Sequence, residues 1–179
     1  MNASRIVFVV IMAIACAAFA VAQEPPQMQP TAEHKELGAW VGSWSGQGEM
    51  KAGPFGPGGP MTWTEDCSWF EGSQFHVVCR SNGTSPMGPM KGLGIVGYNA
   101  EKKVFTHYGV DSTGWSGYAE GTRAGKTWTF RADELMGGKV YHGRYTMTHV
   151  TPTKMSFSWE ASEDGTNWVV MMDGTTEKK

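Results

Sequence analysis

From Trp40 onward the chain alternates apolar and polar residues in short runs, and turn-forming residues interrupt those runs at regular spacing. A period of two is the pattern of a half-buried strand, and nothing in this stretch follows the 3.6-residue period of a helix. Ten strands are expected, at 40–50, 61–70, 74–82, 90–98, 103–111, 115–122, 126–135, 139–150, 154–162 and 167–176. The turns between them include Glu71-Gly72-Ser73, Asp111-Ser112-Thr113-Gly114 and Thr151-Pro152-Thr153. Gly, Asn and Asp tolerate positive φ there, and Pro presets a turn. The Gly/Pro stretch 53–60 is the one long irregular loop. Strands joined in sequence order make an antiparallel up-and-down sheet, and such a sheet loses its exposed edges by closing into a barrel. The expected fold is therefore all-β, a single barrel of about ten strands over residues 37–176.

Composition sharpens this reading. The 24 glycines and 8 tryptophans suit a turn-rich barrel with an aromatic interior. A hydrophobic content of 40% excludes the usual disordered chain. A net charge of −2 offers no basic footprint for nucleic acid.

The N-terminus reads as an address. Arg5, the apolar run Ile6 to Ile14 and Ala20-Val21-Ala22 make a secretory signal peptide over residues 1–22. An uncleaved membrane anchor is one alternative. A lipoprotein signal around Ala13-Ile14-Ala15-Cys16 is another, although it lacks the usual Leu. Cleavage would leave an exported protein, periplasmic or extracellular, with no transmembrane anchor. Residues 23–36 then read as an extended tail and a short helical turn, Ala32 to Leu37, ended by Gly38. Cys16 leaves with the signal, so Cys67 and Cys79 remain. A hairpin centred on Ser73 sets them opposite each other, and a cross-strand disulfide is expected in an oxidising compartment. Two reduced buried thiols are the alternative. Metal binding is not expected, because no CxxC or clustered Cys/His spacing occurs.

Gly42-Ser43-Trp44, just after the helical turn, resembles the G-x-W opening of lipocalin-like (calycin) barrels, in which the Trp closes the base. The surrounding 37–48 stretch is also similar to the first strand of nitrobindin-type ten-stranded barrels. Gly94-Ile95-Val96-Gly97-Tyr98-Asn99, then Phe105 and Asp111-Ser112-Thr113-Gly114, resemble the bacterial family known as domain of unknown function 1579. Arg144 and the closing strand from Trp168 to Asp173 look similar too. The resemblance implies a calycin-like barrel and no established activity. The sequence departs from the family at Gly109, where Trp is common, and at loops 53–60 and 84–90.

Candidate chemistry follows from the alternation. Trp63, Glu65, Cys67 and Trp69 share one face, as do Phe105, His107, Gly109 and Asp111. Trp128 and Trp159 lie on apolar faces of their strands, and Arg144 shares a face with Val140 and His142. The expected ligand-contacting set is Trp63, Glu65, Trp69, Phe105, His107, Trp128, Arg144 and Trp159. Its polar members would anchor the carboxylate or hydroxyl of a small apolar or amphipathic molecule. The bland reading is a Glu65–Arg144 pair that only balances charge. Gly109 in place of a bulky ring would enlarge the interior. No cofactor is expected. Haem through His107, His142 or His149 is the sharper alternative. No catalytic motif occurs, and a Glu65/His107 acid–base pair for a hydrolase or isomerase is the weakest reading. A filled barrel that engages a protein partner through loops 53–60 and 84–90 is the main alternative to ligand binding. Oligomeric state is not legible.

Overall fold

The computed structural model describes residues 28–53, 56–136 and 138–179. The leader expected over residues 1–22, the start of the tail and two residues of the 53–60 loop lie outside the described residues.

Helix α1, Ala32–Glu36, begins at Thr31. The Thr31 hydroxyl accepts from the His34 backbone N–H, and the Thr31 N–H donates to His34 Nδ1 at 3.2 Å. This reciprocal cap satisfies two donors that a helix start leaves orphaned. The sequence places the helix end at Gly38, but the backbone runs on as a 3-10 turn, Leu37–Ala39. The Trp69 indole lies at ordinary contact distance from Gly38, 3.5 Å from where a Cβ would stand.

Ten strands follow: β1 (Gly42–Met50), β2 (Gly59–Trp69), β3 (His76–Ser85), β4 (Gly88–Asn99), β5 (Val104–Asp111), β6 (Ser116–Ala124), β7 (Thr127–Met136), β8 (Lys139–Thr151), β9 (Lys154–Ser162) and β10 (Val169–Lys178). Each pairs antiparallel with its sequence neighbours, and β10 closes onto β1. The barrel is the all-β closed up-and-down fold that the alternation implies. One segment differs. Residues 84–90 are strand on both sides of a two-residue turn, since Ser85 pairs with Gly88. Pro86 fits there because a turn position needs no ladder N–H.

The ends of the barrel differ. At the base, where β1 starts, α1 and the 3-10 turn set Leu37 and Trp40 against Trp44, Phe105, Trp128 and Phe130 in the main core. Trp44 Nε1–H donates to the Trp40 carbonyl at 2.8 Å, so the G-x-W tryptophan plugs this end as the calycin resemblance implies. Arg123 ties the helix down through Glu36, at 2.7 Å, and lies over the Trp128 ring at 5.0 Å. At the mouth, packing breaks into two smaller clusters, Met50–Met61–Phe157 and Tyr141–Ala161–Met171.

Cys67 and Cys79 are register partners on β2 and β3 and form a disulfide. Both face the core. Among the described residues, no helix is long and apolar enough to cross a membrane.

Candidate functional site in the barrel interior

The β2 strand alternates cleanly, with Met61, Trp63, Glu65, Cys67 and Trp69 turned inward and Pro60, Thr62, Thr64, Asp66 and Ser68 turned out. The same parity holds on β8, where Tyr141, Gly143, Tyr145 and Met147 face in. The eight residues expected at the site therefore separate into three places. Trp69, Phe105 and Trp128 belong to the packed base. Trp63, Glu65, His107 and Trp159 face inward above it and stay partly accessible. Arg144 does not join them. Its Nε–H donates to Glu160 Oε2 at 2.8 Å on the outer wall, and its guanidinium stacks 4.2 Å from the Trp168 ring. A Glu65–Arg144 pair is thus excluded by strand parity: the two side chains point to opposite faces of the barrel wall.

The interior above the base combines aromatic surface with polar groups that lack partners. Trp63 meets Phe157 edge-on at 5.3 Å, and Tyr145 lies 6.0 Å from Phe157. The Trp63 indole lies where a Cβ on Gly46 would be, so only glycine there leaves the ring its place against the wall. Burial pushes the Glu65 carboxyl up from 4.5 to about 6, helped by the nearby Asp66 charge. Burial also holds the His107 imidazole below its ordinary value, and burial with the Glu65 charge raises the Tyr145 phenol. Among the described residues no hydrogen bond or opposite charge offsets these shifts. Among the described residues no hydrogen bond or ion pair joins Glu65 to His107, so the acid–base pair is not formed.

Glu65 yields a direct test. The folded chain holds this proton more tightly than the unfolded chain, so its contribution is complete below about pH 4.5 and is lost as pH rises through about 6. The ionised carboxylate then costs about 2 kcal/mol. Glu65→Gln is expected to be more stable than wild type by about 1–2 kcal/mol at pH 8 and equal to it at pH 4. Urea unfolding at the two pH values measures this, and equal stability at pH 8 would mean that Glu65 has a partner in solution.

The mouth holds a residue the alternation did not single out. Gly109 does not leave open space. The Trp115 indole folds back over the paired Gly109 and Gly117, 2.8 Å from where a Cβ on Gly109 would stand. Its Nε1–H donates to Glu134 Oε2 at 3.2 Å. Asp111 shapes this approach, accepting from the Thr113 N–H at 2.8 Å, the Thr113 hydroxyl at 2.5 Å and the Trp115 N–H at 3.2 Å. The Asp-Ser-Thr-Gly motif is thus the turn that lays an aromatic ring across the rim.

The remaining histidines are elsewhere. His142 faces out and meets Asp133 at 2.8 Å, His34 is the buried residue of α1, His76 is exposed, and His149 sits at the base near Arg123, Lys126 and Lys178. The fold does gather one group that linear spacing conceals: the Glu65 carboxylate and the Cys67 and Cys79 sulfurs lie within 4.8 Å of one another. The sulfurs are bonded to each other and so are not available as thiolate ligands. Two open concavities, about 760 and 550 Å³, lie on the outer wall. Thr62, Asn82 and Thr175 line the first, and Tyr118, Arg131 and Trp168 the second.

Comparison with known proteins concerns the whole barrel. A family model described as "Protein of unknown function (DUF1579)" matches residues 29–178. Among curated proteins none matches by sequence. The crystal structure of Rv2717c from M. tuberculosis is similar at a TM-score of 0.60 and 11% identity, covering 84% of this chain and 99% of that one. The S-type phycobiliprotein lyase CPES from Guillardia theta is similar at a TM-score of 0.56 and 11% identity, covering 86% of this chain and 98% of that one. At such identity these likenesses concern the fold alone.

Proposed function

The chain belongs to the DUF1579 family of proteins of unknown function, and from that premise we propose that it is an exported barrel that binds a small, mostly apolar ligand inside. One observation carries this reading. Glu65, His107 and Tyr145 face inward and are largely desolvated, and among the described residues no hydrogen bond reaches their side chains. Buried polar groups are normally hydrogen-bonded, and a group left unpaired costs on the order of 1–3 kcal/mol. A bound molecule that meets even one of them recovers part of that cost. Aromatic walls with a few placed polar groups are the usual make-up of a small-molecule site.

The uncharged fluorophore N-phenyl-1-naphthylamine tests the reading. Saturable uptake with a blue-shifted, enhanced emission is expected. Gly94 borders the interior, with His107 Nε2 3.2 Å and the Cys79 Cβ 4.0 Å from where its own Cβ would stand. Gly94→Leu is expected to abolish uptake while the far-UV spectrum is retained. Unsaturable uptake, or uptake that a folded Gly94→Leu variant leaves unchanged, would sink the proposal.

A second reading rests on the rim. Met87, Trp115, Leu135, Val140 and Val169 are all at least 40% exposed near the mouth, and apolar crowding of this kind marks contact surfaces. Such a filled barrel would present the turn at 86–87 to a protein partner, and it predicts no uptake of the fluorophore.

A further inference from the structure

The interior carries the Glu65 carboxyl and, among the described residues, no cationic side chain that pairs with it: His107 also faces inward, but burial favours its neutral form. Glu65 stands in a row between Trp44 and Ser81 on the neighbouring strands, with the disulfide sulfurs beside it. Tyr145 feels its charge from β8, across the barrel. The basic side chains that might have balanced it are committed elsewhere. Arg144 is outside with Glu160, and Arg123 is at the base with Glu36. Lys178 also lies at the base, over Trp44 and against Gly42. Among the described residues no ion pair reaches Glu65, and the neighbouring charge that acts on it, Asp66 on the outer face, is negative as well. Around it stand Trp63, Tyr145 and Phe157, with ring separations of 5.3 and 6.0 Å. The faces of such rings are the negative part of their quadrupole and attract cations.

Resting on the interior-binding reading above, we propose that the ligand is an apolar molecule with a protonated amine or quaternary ammonium head. Glu65 is its counter-ion, and Trp63, Tyr145 and Phe157 form the aromatic wall around the head. This reverses the polarity that the sequence suggests. An anchor for a ligand's carboxylate needs Arg144 inside, and with Arg144 outside, a carboxylate would enter a site already negative and be repelled. A cation instead offsets the cost of an uncompensated buried anion and meets the negative faces of the surrounding rings.

Three ligands with one ten-carbon chain separate the possibilities: decyltrimethylammonium, decanol and decanoate, each below its micelle concentration. They are used to displace N-phenyl-1-naphthylamine from the full chain at pH 8. The ammonium is expected to displace the fluorophore at a concentration at least tenfold lower than decanol, with decanoate the weakest. The advantage over decanol is expected to vanish in Glu65→Gln and to survive in part in Glu65→Asp, which keeps the charge if the amide variant folds poorly. Equal potency of ammonium and decanol, or an ammonium advantage that persists in Glu65→Gln, overturns the cation assignment and leaves the interior site standing. Displacement by none of the three, with uptake indifferent to Gly94→Leu, removes the interior site itself.

Discussion

Trp128→Ala is expected to destabilise the barrel by about 3–5 kcal/mol, enough to lower Tm by about 6–20 °C. Trp128 is 0% exposed on β7. Its ring meets Phe105 at 4.5 Å and Trp40 at 5.8 Å, and the Arg123 guanidinium covers it at 5.0 Å. Two features make the cost high. A closed barrel cannot collapse inward around a missing ring, because its radius is set by strand number and stagger. The ring also backs the Arg123–Glu36 pair that holds α1 across the base, so its loss loosens the plug as well as the core. Trp159→Ala is the matched control. Trp159 packs against the mouth cluster and stays partly accessible, so its removal is expected to cost less than half as much. Denaturant unfolding of both variants measures the difference, and equal losses would mean that the mouth is packed as tightly as the base.

Loss of the Cys67–Cys79 bond is expected to cost about 3 kcal/mol by loop-closure entropy, with a fall in Tm of about 6–12 °C. The bond closes a hairpin of sequence separation 12 between β2 and β3. Those strands already pair in register from Thr62↔Thr84 to Trp69↔Val77, so the native state has little to lose beyond the bond itself. The effect falls mainly on the unfolded chain, which gains freedom. Reducing agent on wild type and the Cys67→Ser/Cys79→Ser variant without it are expected to give the same shift. A wild-type Tm indifferent to reductant would mean that the bond is absent in the protein as made.

The strand plan was legible because β proteins write it locally. Alternation marks each strand, and a turn residue marks each end, so all ten strands and their order could be read from the chain. The disulfide followed from the hairpin centre alone. What the sequence hid was direction and depth. On β8 the two faces carry His142, Arg144 and Thr146 against Tyr141, Tyr145 and Met147, and the polar company of His142 and Thr146, obscured by Val140 on the same face, was the available sign that Arg144 points out. Tyr145 went unread for the same reason. Trp115 lies in a turn, where alternation gives no direction, and its resting place over Gly109 and Gly117 exists only once β5 and β6 are paired. Depth is a property of the closed ring: Trp128 and Trp159 look alike in sequence, yet one is core and the other wall. That Glu65 has no cationic partner among the described residues is likewise a fact of the assembled interior.

The seam of the ring sets a condition on when this protein can exist. Strand β1 is held on one side by β2, its neighbour in sequence, and on the other by β10, with Trp44 opposite Lys178 and the Lys179 N–H donating to Ser43 at 2.9 Å. The first strand therefore waits for the last. A chain still emerging from a ribosome or a pore can form hairpins, but it has two bare edges until nearly its final residue is free. Such edges recruit other strands. The interior is likewise walled off only when β10 meets β1, so the ring and its inside are completed by one pairing, the last in chain order.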